Sequence, residues 1–133
     1  MGFFDLFDKS DGTKLREEVA SKIKEEMLDS NSLKIIRSVS IGDISVSQKV
    51  SDQDLSVAYL FIKECFREAA KKRNEKIDDN AILLIVVYLV SIYQDIGLDD
   101  YFNALDEELD NYLKHGLDPK FDKPMEIFVT QPK

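Results

Sequence analysis

The chain has 133 residues, 44% hydrophobic and 33% charged, which suits one globular domain with a core large enough to need no disulfide staples. Its net charge of −8 counts against affinity for nucleic acid phosphate or an anionic membrane, so neither is expected as a partner. The single cysteine, Cys65, excludes an internal disulfide and fits a reducing compartment, so a cytoplasmic location is expected.

The chain opens on MGFFDLF, in which Phe3, Phe4, Leu6 and Phe7 crowd four large apolar groups into five positions. It lacks the basic flank and long apolar run of a signal peptide, and Leu6 breaks the myristoylation pattern. We expect a single domain over 1–133 with residues 1–12 loosely held. A helix is predicted over 14–28, with Thr13 as N-cap and Leu15, Val19, Ile23 and Met27 as a narrow apolar stripe. The stretch from Phe7 to Glu18 matches a calcium loop at Asp11, Gly12 and Glu18. Phe7 and Lys9 stand where oxygen ligands are required, so no metal is expected.

Residues 29–51 change character, with seven serines and many β-branched side chains. SVSIGDISVS, Ser38 to Ser47, is nearly palindromic about Gly42-Asp43. A type II′ turn there sets Ile41 opposite Ile44, Ser40 opposite Ser45 and Val39 opposite Val46, giving one aliphatic and one hydroxyl face. A hairpin over 35–50 is therefore preferred to the competing helix from Ser32 to Ser40. A lone hairpin is marginal, and MEIFVT, Met125 to Thr130, alternates in a way that supplies a third strand at 125–130.

Three longer helices follow, at about 52–73, 79–96 and 99–115. Ser51-Asp52-Gln53-Asp54 opens the first, whose apolar arc covers half its circumference. Asp78-Asp79-Asn80 caps the second, which Gly97 ends. Its core, Ala81 to Val90, is a ten-residue apolar run, too short for a membrane span of about 20 residues and suited to the centre of the domain. Asp99 caps the third, ended by Gly116, with Tyr101, Phe102, Leu105, Leu109, Tyr112 and Leu113 as its core stripe. Short connections make the three antiparallel neighbours. The expected fold is α+β, mainly helical: a three-helix core, an N-terminal helix and a small antiparallel sheet.

Charge is unevenly spread. Ile77 to Leu113 holds nine acids and no Lys or Arg, while Lys63, Arg67, Lys71, Lys72, Arg73 and Lys76 gather just before it. Antiparallel packing makes the molecule electrically polar from end to end, with Asp99, Asp106 and Asp110 in one strip on the third helix and Asp100 and Glu107 beside it. No CxxC, HExxH, GxSxG or phosphate-binding glycine loop occurs. Cys65 falls on an apolar helix face, as a buried inert thiol, and His115 sits at a helix end where a cation suits the terminal carbonyls. No catalytic residue, cofactor or enzymatic activity is expected.

The function that composition favours is a non-enzymatic acidic protein engaging a basic partner protein, for instance as an inhibitor or immunity-type protein. Asp99, Asp100, Asp106, Glu107 and Asp110 are its candidate contacts. The alternative is a structural or adaptor subunit that forms a homodimer through apolar surface at Phe3, Phe4, Phe7 and Leu60.

Overall fold

The computed structural model describes residues 9–24, 26–96, 98–122 and 126–127, with the side chains of 93–99, 126 and 127 outside that description. Among the described residues the chain runs through α1 (Asp11–Ala20), α2 (Ser30–Ser38), β1 (Val39–Ile41), β2 (Ile44–Ser45), α3 (Asp52–Lys72), α4 (Asp79–Ile96) and α5 (Leu98–His115). A 3-10 turn (Pro119–Phe121) and β3 (Glu126–Ile127) complete it. The fold is mainly helical α+β, as the sequence predicts. No described helix is long and apolar enough to cross a membrane.

The α4 helix forms the centre because its sequence is apolar on every side. Ile82, Leu84, Ile85, Val86, Val87, Leu89 and Val90 are all buried. Around them pack α3, α5, the β1–β2 hairpin and the 3-10 turn. Each such side chain contributes about 1.5–3 kcal/mol over its exposed state, so this run is a large part of what holds the domain together. Ser51 caps α3 by accepting a hydrogen bond from the Asp54 amide at 3.0 Å.

The three long helices run up, down and up. Arg73 at the end of α3 donates to the Leu113 carbonyl near the end of α5, 2.9 Å away, and Arg67 of α3 pairs with Asp79 at the start of α4. Asp52, Asp54 and Asp100 are thereby left exposed at one end of the bundle. Lys71, Lys72, Lys114 and His115 are exposed at the other. His115 closes α5 ahead of Gly116, whose φ of 82° is left-handed and whose amide donates to the Tyr112 carbonyl. Gly97, expected to end α4, lies outside the described residues.

The N-terminal helix differs from expectation at both ends. Its cap is Ser10, whose hydroxyl accepts from the Thr13 amide, and it stops at Ala20 rather than near residue 28. Four-residue steps advance about 40° too far per turn of helix. A helix continued past Ala20 would carry the stripe off the core; Leu15 and Val19 are buried within α1, whereas Ile23 and Met27 lie beyond its end, half-buried and 63% exposed. Beyond Ala20 the chain crosses to α3, where the buried Ser56 hydroxyl accepts from the Leu28 amide and donates to the Asp52 carbonyl.

Helix and hairpin share the serine-rich region. Asp29 caps α2 through the Ser32 amide, and Leu33 and Ile36 bury one face of the helix. Extended backbone begins only at Val39, so the hairpin is shorter than 35–50. Its register is the expected one, Ile41 opposite Ile44 and Ser40 opposite Ser45. Gly42 has a φ of 60° and Asp43 is not left-handed, the combination a II′ turn requires. β3 pairs antiparallel with β1, Val39 opposite Ile127, in the order β2-β1-β3. The hydroxyl face is not a solvent face throughout: Ser45 is exposed, whereas Ser40, on the central strand, is buried and its hydroxyl has no hydrogen-bond partner among the described residues.

Candidate functional site

The acidic strip of α5 faces the N-terminus of α1. Asp106 is 8% exposed. One carboxylate oxygen accepts from Arg16 Nε at 2.5 Å, and the other accepts from the Thr13 hydroxyl at 2.8 Å. One turn further on, Asp110 Oδ1 accepts from the Gly12 amide at 2.7 Å. An acid at a helix N-terminus meets both a free N–H and the positive end of the helix dipole. The Arg16 guanidinium also lies 4.6 Å from the centre of the Phe102 ring.

These contacts engage two of the five expected partner contacts, Asp106 and Asp110, within the chain itself. Asp106 and Asp110 form the seam that docks α1. A third acid of α5, Glu108, is buried against Lys120 at 2.9 Å, whose ammonium also sits over the Tyr88 ring. Asp100 and Glu107 are exposed and remain accessible; the side chain of Asp99 lies outside the described residues. The repulsion along α5 is thus relieved from within the chain, by Arg16, Lys120 and a helix N-terminus. Phe3, Phe4 and Phe7 also lie outside the described residues.

A different feature stands at the acidic end of the bundle. An open cleft of about 430 Å³ runs between α1, α3, α4 and α5. Val57, Ala58 and Phe61 of α3, Val90 of α4, and Tyr101 and Phe102 of α5 give it apolar, largely aromatic walls. Gln53, Asp54 and Arg16 add its polar lining, and Ala20 and Ile23 close the α1 side. No cation among the described residues pairs with Asp54.

A second depression, about 320 Å³, lies on the far side of Ile23. Val19, Ile23 and Leu60 give it an apolar floor, ringed by Glu18, Glu26, Glu64 and Glu68 against Lys22 and Lys24. Leu60, which the sequence marks as an apolar group on a charged arc, is half-buried in this floor.

Periodicity assigns Phe61, Tyr101 and Phe102 to the core, and so misses the cleft. The signal was the breadth of the α3 apolar arc, which covers half the helix circumference. Phe61 and Phe102 are accordingly half-buried. Cys65 is fully buried, and burial pushes its thiol up to about 12, which removes the thiolate that nucleophilic or metal chemistry needs. No cluster of three or more His, Cys, Asp or Glu side chains positioned for a metal occurs among the described residues. The chain matches no protein-family model, no curated protein and no solved structure.

Proposed function

We propose that the protein is a non-enzymatic acidic binding module that engages a basic partner protein, seating an apolar side chain of that partner in the cleft between Phe61 and Phe102. The observation that supports this is the position of the cleft: apolar and aromatic walls open at the end of the bundle where Asp54 and Asp100 are exposed, beside Asp52, which pairs with Arg37. An apolar anchor in such walls contributes about 1.5–3 kcal/mol. Surrounding acids accelerate the approach of a basic surface and reject acidic competitors. An inhibitor or immunity-type protein covering a basic site is one form this takes, and the cytoplasm suits a chain whose one thiol is free.

The test is capture of partners from the source cell's lysate on the immobilised full chain, at about 50 mM and about 500 mM salt, conditions that shorten the screening length severalfold. Expected is a stoichiometric basic protein, depleted at high salt and lost with Val57→Lys, which fills and repels at the cleft. Asp54→Lys with Asp100→Lys should weaken capture at low salt alone. Recovery of only the protein itself at both salts overturns the proposal and leaves homodimerisation through apolar surface.

A further inference from the structure

We infer that the partner is recognised through a two-part motif: a large apolar side chain in the cleft and, three residues away along an extended segment, a Lys or Arg in the neighbouring acidic depression. This rests on the binding function proposed above and specifies its partner.

The two depressions share Ile23 as a common wall and both lie along α3. The cleft takes α3 residues centred on Val57, the second depression those centred on Glu64. Seven helical residues span about 10 Å, which an extended peptide covers in about three residues. One short segment therefore reaches both.

The chemistry of the second depression selects the second residue. An apolar floor beneath carboxylates fits a side chain with an aliphatic stem and a cationic head, the form that Lys and Arg share. Glu18 and Glu68 already pair with lysines, at 3.3 Å and 3.1 Å. Glu64 has no cation among the described residues, and four acids against Lys22, Lys24 and Lys71, the partner of Glu68, leave the rim one negative charge in surplus. A neutral or acidic side chain would leave that surplus unrelieved, whereas a base neutralises it. Ile23, which lines both pockets, stands between the apolar and the basic position.

The experiment is selection of a random dodecapeptide display library on the full-length protein and on a Glu64→Gln, Glu68→Gln variant whose melting temperature matches the wild type. Expected on the wild type is enrichment of a large apolar residue three positions from Lys or Arg; the variant keeps the apolar preference and loses the basic one. For a selected peptide, replacing its base with Gln should weaken binding to the wild type about 1.5- to fivefold, the range of an exposed ion pair, and leave binding to the variant unchanged. Apolar enrichment without a base, or a base equally important to both proteins, overturns the two-part motif and leaves the cleft as a binding site. No enrichment, or peptides that still bind Val57→Lys, overturns both. A dimer that Val57→Lys dissociates assigns the cleft to a second copy and likewise overturns the motif.

Discussion

Gly12 lies directly against the α5 backbone. A Cβ placed there meets the Asp106 carbonyl oxygen at 2.5 Å and the Asp110 amide at 3.0 Å. Alanine would gain about 1 kcal/mol of helix propensity, but the obstacle is backbone, which relaxes poorly, and overpacking costs up to about 3 kcal/mol. Gly12→Ala should therefore destabilise by about 2 kcal/mol in urea denaturation; a stabilised variant would show that the helices separate freely. Cys65 gives a second prediction. Its thiol keeps its proton to about 12 in the folded state against an ordinary 9.0. The unfolded chain binds fewer protons between those values, so stability falls as pH rises through that window, by about 1.4 kcal/mol per unit. Between pH 7.5 and 10.5, Cys65→Ala should lose about 2 kcal/mol less than the wild type. Equal losses in the two proteins would mean that the thiol titrates normally.

At the scale of elements, boundaries were legible wherever the signal was chemical and local. Ser51 before Asp52 and Asp54, and Gly42-Asp43 between matched pairs, act through atoms a few residues away. The start of α3 and the register of the hairpin accordingly follow from sequence. The end of α1 does not, because it depends on Ser56 drawing the Leu28 amide towards α3. Nor does the division at Val39. Leu33 and Ile36 satisfy a helical period and Val39 to Ile44 a strand period, and Arg37 decides the join by donating to the carbonyls of Ser47 and Val50. β3 protects the outer edge of β1, where Ser40 lies opposite Glu126, so a chain ending at Asp122 should lose stability and hydrogen-exchange protection at the Ser40 amide, which points away from β2. Unchanged exchange at that amide would mean that the hairpin stands without its third strand.

Across the whole molecule, the polarity of charge was legible and the purpose of individual charges was not. Counting acids from Ile77 to Leu113 locates the negative surplus, but the cation that neutralises Asp106 sits on α1, far away in sequence. The cleft was hidden for a related reason: an apolar residue on a helix reads the same whether a neighbouring helix covers it or leaves it open. The seam between α1 and α5 also sets an order of events. Its hydrogen bonds join residues separated by 98, 93 and 90 positions, whereas α3, α4 and α5 meet through short connections. Loop closure over such separations is slow relative to local pairing. During synthesis at about 5–20 residues per second, α1 waits about 5–20 s for the turns of α5 it needs. Over that interval α1 can pack against α3 but not α5, so the contacts of Gly12, Thr13 and Arg16 are made only after the last long helix has left the ribosome.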